Sequence, residues 1–167
     1  MTWRRRAAAI GPIIAIAGAA SAAPDTRPSL CAPDEVAIFS CALETGRIVS
    51  LCASPDLAEN AGHLRYLYGR KGSPPELVHP EPGTKPGDAF AAGIVGAGYG
   101  DFITFRRGDT RYWLESLLPK VSPEVNRLRV TRAGKTLLQS ACRDWPLAEG
   151  GFGLLYRAKL PRADEED

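Results

Sequence analysis

Four cysteines and two histidines carry most of the reactive potential of this 167-residue chain. His63 and His79 flank one hairpin-like stretch, HLRYLYGRKGSPPELVH. If Arg65 opposes His79 across that hairpin, His63 opposes Glu81 and both imidazoles share a face. Two imidazoles with a carboxylate, Glu59 or Glu81, form a donor set suited to zinc or copper. A hydrolase centred on the same histidines is the catalytic version of that reading. A serine nucleophile needs a base that a third group orients. No G-x-S-x-G elbow is present, and Ser50, Ser54 and Ser116 fall at strand or cap positions. The thiols Cys31, Cys41, Cys52 and Cys142 are spaced by 10, 11 and 90 residues, which matches no zinc-knuckle pattern.

Carboxylates offer a looser possibility. Asp101, Asp109 and Glu115 fall in one hairpin, and Glu115 follows Trp113 by two, so the two side chains share a face. A carboxyl beside an aromatic ring can act as a raised-pKa acid or bind a sugar. Ion pairing with Arg106, Arg107 or Arg111 is the plainer expectation. The same stretch, FRRGDTRYWLE, gathers Arg106, Arg107, Arg111, Tyr112 and Trp113, residue types enriched where proteins bind one another. Alternation favours the competing outcome, with Trp113 inside and the arginines in water. Gly93, Gly96, Gly98 and Gly100 lead into a strand-like segment rather than a helix, with neither G-x-G-x-x-G nor a Walker lysine. That context reads as a flexible hairpin or bulged edge, not a phosphate cradle.

The elements that must hold these groups follow a leader. Basic residues, then AAAIGPIIAIAGAASAA, have the form of a secretory signal peptide over residues 1–22, cut after Ala22. Taking Arg4, Arg5 and Arg6 away with it leaves 18 basic against 19 acidic residues, a net charge near −1. No basic field remains to attract nucleic acid. No second apolar stretch reaches the length of a membrane span. Residues 23–160 read as one domain and residues 161–167 as an acidic flexible tail.

Gly or Pro recurs about every ten residues between short β-rich segments, the pattern of an all-β protein of antiparallel hairpins, barrel or sandwich. VAIFSCAL turns into RIVSLCA, HLRYLYG into PELVH, DFITFRR into TRYWLES, and NRLRVTR into KTLLQSAC. The last apolar piece, FGLLYRAKL, is placed as a strand closing the sheet. One short helix is expected after Ser54-Pro55-Asp56, and a single turn at Ser122-Pro123-Glu124.

An even cysteine count in an oxidising compartment predicts two disulfides. In FSCALETGRIVSLC, a two-residue turn at Gly46-Arg47 would set Cys41 opposite Cys52. A three-residue loop with Gly46 left-handed would set Cys41 opposite Val49 and aim Cys52 at the other face. The second register gathers Phe39, Cys41, Leu43, Val49 and Leu51 on one face, so it is preferred. Cys41 and Cys52 then cannot join. The pairing Cys31–Cys52 with Cys41–Cys142 follows, with Cys31–Cys41 and Cys52–Cys142 as the alternative.

FSCALETGRIVSLCAS, LRYLYGRKGSPPELVHP and VTRAGKTLLQSAC resemble a group of small exported bacterial β-proteins of unassigned function, over residues 31 to 142. That group carries an FSC…GK…SLC hairpin, and Arg47 stands where its lysine is expected. Phe39-Ser40-Cys41, Gly46 and Cys142 also resemble, more loosely, the periplasmic C-type lysozyme inhibitors. Those present a polar loop to the lysozyme cleft, and no residue of this chain matches that loop. The resemblances imply a periplasmic or secreted β-fold. The sequence as a whole reads as a cofactor-free, non-catalytic binding module whose partner is a protein or another envelope component. The alternatives are a metal binder or hydrolase using His63 and His79, and a structural envelope protein.

Overall fold

A computed structural model describes residues 27–95, 100–117, 125–146 and 154–164. The expected signal peptide, the expected turn at Ser122-Pro123-Glu124, Gly96 and Gly98, and residues 165–167 of the expected acidic tail lie outside the described residues.

Among the described residues, nine strands form two antiparallel sheets that are not closed into a barrel. The first sheet has the order β1-β2-β3-β4, with β1 Val36–Ala42, β2 Ile48–Ala53, β3 Leu64–Gly69 and β4 Leu77–His79. The second runs β5-β6-β7-β8-β9, with β5 Ala91–Val95, β6 Gly100–Arg107, β7 Thr110–Leu117, β8 Val125–Arg132 and β9 Lys135–Ala141. Neighbours in both sheets are consecutive in sequence, and the four hairpins expected from the turn residues, β1–β2, β3–β4, β6–β7 and β8–β9, all form. The inner faces share one core. Phe39, Val49, Leu51 and Tyr66 from the first sheet meet Ile103, Phe105, Leu114 and Leu128 from the second.

The β1–β2 hairpin takes the expected register. Cys41 lies opposite Val49, and the Leu43 amide donates to the Arg47 carbonyl. Gly46 has φ +78°, a conformation glycine adopts without steric cost. The two disulfides are Cys31–Cys52 and Cys41–Cys142. The second joins the sheets where the end of β1 meets the end of β9. Backbone bonds from Glu44 N to Ala141 O and from Arg143 N to Ala42 O reinforce that seam.

The hairpin's second face is covered too. Ser40 Oγ donates to the Pro28 carbonyl, the Leu30 amide donates to Ser50 Oγ, and the two hydroxyls lie 2.7 Å apart. A strap of residues 28–31 therefore crosses β1 and β2, pinned by Cys31–Cys52. This explains why every residue of β2 is buried although its sequence alternates with serine.

Three expectations need correction. The helix expected after Ser54 does not form: the Ser54 hydroxyl accepts from the His63 amide, closing a loop over buried Leu57. The described residues contain two short helices rather than one, α1 Pro86–Ala89 and α2 Leu155–Ala158. The second occupies the segment expected as a closing strand. Its buried residues, Leu155 and Ala158, are three apart, a helical spacing rather than alternation.

The chain then runs parallel to the edge of β5. Ala92 N donates to Pro161 O, and Ala163 N donates to Ala92 O. The fold thus extends to Ala163, beyond the boundary expected at residue 160. A Cβ at Gly93 would collide with the Ala163 carbonyl and the Phe102 ring. Close approach, rather than flexibility, accounts for that glycine.

Candidate functional site

The structure disperses the candidate basic–aromatic patch. Tyr112 faces the core and stacks on Phe105 with ring centroids 4.7 Å apart. Trp113 points the opposite way and is only 3% exposed, packed with Phe102 and Ala163. The guanidinium carbons of Arg111 and Arg129 lie 4.9 and 4.3 Å from its ring centroid. Arg106 pairs with Arg111 across β6–β7 and shares Trp113's side of the sheet, whereas Arg107 is on the other side. Only Arg106 and Arg107 are fully exposed.

Glu115 does not pair with Arg106, Arg107 or Arg111 as expected. Both its oxygens go to β8, with Arg127 Nε donating to Oε2 and Arg129 donating to Oε1 at 2.6 and 2.9 Å. Cross-strand register sets this up, since Glu115 lies opposite Arg127. Asp109 pairs with Arg132 at 3.3 Å. These carboxylates are committed to ion pairs rather than arranged as an acid and base.

The histidine set is likewise corrected. Tyr66, not Arg65, opposes His79, so the register differs by one residue from the one that aligned the imidazoles. His63 Nε2 donates to Glu35 Oε1 at 2.7 Å, and Arg65 donates to both oxygens of the same carboxylate. Burial alone would raise the Glu35 pKa. Hydrogen bonds from Arg65, the Ala32 amide and His63 outweigh it and hold the carboxyl below its ordinary range. Glu81 lines a cleft of about 250 Å³ together with His63, but His79 does not. Among the described residues, no three His, Cys, Asp or Glu side chains form a group that could hold a metal ion.

His79 is instead part of an aromatic stack. Its ring lies 4.2 Å from Phe105 and nearly parallel, edge-on to Phe90, with Nε2 3.3 Å from the Ala89 carbonyl. Burial lowers the His79 pKa. The Arg107 charge adds to this, while the Ala89 carbonyl and Glu81 oppose it. Between the lowered folded value and the ordinary imidazole value of about 6.5, the unfolded chain binds more protons than the folded one. Stability is therefore fully present above that ordinary value and falls as the pH drops towards the folded value. Urea midpoints measured from about pH 7.5 down to about pH 5.5 should decline, and His79→Phe should flatten the decline. An equal decline in both proteins would assign the acid sensitivity elsewhere.

The arrangement best suited to a ligand lies where β3 and β4 face β7, β8 and β9. Tyr66, Tyr68, Tyr112, Leu128, Val130 and Leu138 line a cleft of about 370 Å³, with Leu77 and Glu76 on the β4 side. This volume falls within the range of small-molecule sites. Tyr66 is 1% exposed, and its hydroxyl has no hydrogen-bond partner among the described residues. Burial raises its pKa well above that of an ordinary phenol, so the hydroxyl remains a donor. Glu76 takes Arg47 at 3.1 Å and Arg70 at 4.0 Å.

A second cleft, of about 400 Å³, lies between β5 and α2 beside exposed Ile94 and Tyr156. Its charged lining is Asp101, Lys159 and Arg162, with Lys159 drawn off to Glu59 at 2.7 Å, and none of these is an unpaired buried group like the Tyr66 hydroxyl. The sequence reasoning missed the tyrosine cleft. Its one local signal is the alternation in HLRYLYG, which puts Tyr66 and Tyr68 on the same face.

No family model matches the chain, and neither the curated proteins nor the solved structures contain a match. No helix among the described residues is long and apolar enough to cross a membrane.

Proposed function

We propose that this chain is an exported, periplasmic or secreted binding module that receives a compact ligand in the tyrosine cleft and performs no chemistry on it. The observation that carries this reading is the Tyr66 hydroxyl, buried without a partner among the described residues on a side chain that lines a largely apolar cleft. A buried polar group left unpaired costs about 1–3 kcal/mol, so a ligand that satisfies it gains affinity. The distribution of reactive groups supports a binding role. All four thiols are in disulfides, Glu115 is held by arginines, and His79 is stacked between aromatic rings. The same cysteine usage supports export.

Titration of the mature protein with the neutral dye Nile red tests the reading. A saturable fluorescence increase at one site per chain is expected. Leu138→Arg, which puts a charge on the cleft wall, should weaken it at least about tenfold while unfolding remains cooperative. Non-saturable binding, or binding unchanged by the substitution, would remove the cleft from consideration. The enzyme-inhibitor form of the reading is checked in the same preparation by turnover of a C-type lysozyme, where undiminished turnover at excess protein rules it out.

A further inference from the structure

We infer that the ligand of the tyrosine cleft is a compact, uncharged, planar molecule whose carbonyl or ring acceptor takes the Tyr66 hydroxyl. This rests on the cleft being the binding site, and three features of its wall narrow the class.

The first is the polar anchor. Tyr66 offers one O–H from a nearly fully buried position, the one fully buried unpaired side-chain donor among the described residues lining the cleft, while the Tyr68 and Tyr112 hydroxyls belong to half-buried side chains. A ligand therefore needs one acceptor at its inner end. A second polar group would have to reach the Tyr68 or Tyr112 hydroxyl or be left unpaired.

The second is charge. Leu77, Leu128, Val130 and Leu138 supply the apolar lining. The one ionised side chain on the wall, Glu76, is already engaged by Arg47 and Arg70. An anion entering the cleft would give up its hydration with no cation among the lining residues and Arg47 and Arg70 already held by Glu76, and a cation would compete with those two guanidiniums.

The third is shape. His79, Phe105 and Tyr112 form a run of nearly parallel rings, with interplanar angles of 11° and 1°. Phe105 covers one side of Tyr112, and Tyr112 also borders the cleft. A flat ligand would lengthen that stack by one ring, the offset-stacked geometry that aromatic groups prefer.

Equilibrium dialysis of the mature protein against three naphthalenes tests the inference: 2-acetylnaphthalene, its hydrocarbon counterpart 2-ethylnaphthalene, and the anion 2-naphthoate. The ketone should bind at least about tenfold more tightly than the hydrocarbon, as expected when a buried donor is satisfied rather than left unmet. Tyr66→Phe should abolish that difference and leave the hydrocarbon's affinity within about twofold, because only the hydroxyl is lost. The same variant should not unfold at a lower temperature than the parent, since the deleted group makes no bond among the described residues. Equal binding of ketone and hydrocarbon overturns the acceptor assignment while the cleft reading survives. Preference for 2-naphthoate overturns the assignment of an uncharged ligand. Failure of all three to bind overturns this inference and the cleft reading together.

Discussion

Replacing Cys41 and Cys142 together with alanine is expected to lower the unfolding free energy by about 4 kcal/mol. The bond spans 101 residues of sequence, so in the unfolded chain it restricts nearly the whole domain. The folded state should change little. Leu43 and Cys142 form an antiparallel bridge, and the flanking amides of Glu44 and Arg143 donate across the same seam. Cys31–Cys52 spans only 21 residues, and its loss should cost about 3 kcal/mol by the same argument. Urea unfolding of the parent and of the two paired-alanine variants checks the order. If the Cys31–Cys52 variant proves the weaker protein, the strap over Ser40 and Ser50 matters more than loop closure.

Phe105→Ala should destabilise by a similar amount, about 4 kcal/mol. Phe105 is buried at the junction of four other rings: Tyr66 at 4.8 Å, Tyr112 at 4.7 Å, Phe90 at 5.6 Å and His79 at 4.2 Å. Few of these neighbours can move into the space, because Tyr66, His79 and Tyr112 come from three separate strands whose backbones are fixed by ladder bonds. A second effect distinguishes this substitution from general loosening. His79 loses the ring that shields one of its faces, so its pKa should return towards the ordinary value and the acid-induced loss of stability should shrink. Urea titrations of Phe105→Ala near pH 7.5 and pH 5.5 read both effects. A large loss at neutral pH with an undiminished acid decline would show that His79 owes its low pKa to something other than this stack.

The parts of the fold legible in the sequence were those fixed by short-range geometry. Glu44-Thr45-Gly46 admits one loop that keeps Phe39, Cys41, Val49 and Leu51 on a common face; that register excludes Cys41–Cys52, and the entry of Cys31 beside Cys52 selects between the two pairings left. The β3–β4 pairing was misread by one residue for the opposite reason. Its connection through Arg70–Glu76 is long, and β4 has only three residues, so neither turn type nor an apolar face sets the alignment. Ser54-Pro55-Asp56 has the composition of a helix start, yet a tertiary hydrogen bond from His63 claims the hydroxyl that would have capped it.

The candidate site was less accessible. Its lining comes from five strands far apart in sequence, and an unpaired hydroxyl is a property of packing rather than of residue type. Contiguity of the basic–aromatic cluster along β6 and β7 is not contiguity in space, as the alternation that favoured a buried Trp113 already indicated. Alternation sends Tyr112 inward and Trp113 outward, and Arg127 and Arg129 arrive from the next strand to occupy Glu115.

The short parallel pairing of Pro161–Ala163 with β5 bears on how the molecule meets copies of itself. An unprotected outer strand offers main-chain donors and acceptors to any extended peptide nearby. Here the polypeptide's own terminus fills part of that border, with Ala163 wedged between Gly93 and the Phe102 and Trp113 rings. Residues 161–163 therefore cover part of that border, and trimming the chain before Pro161 is expected to expose it, which a concentration-dependent rise in sedimentation coefficient would read.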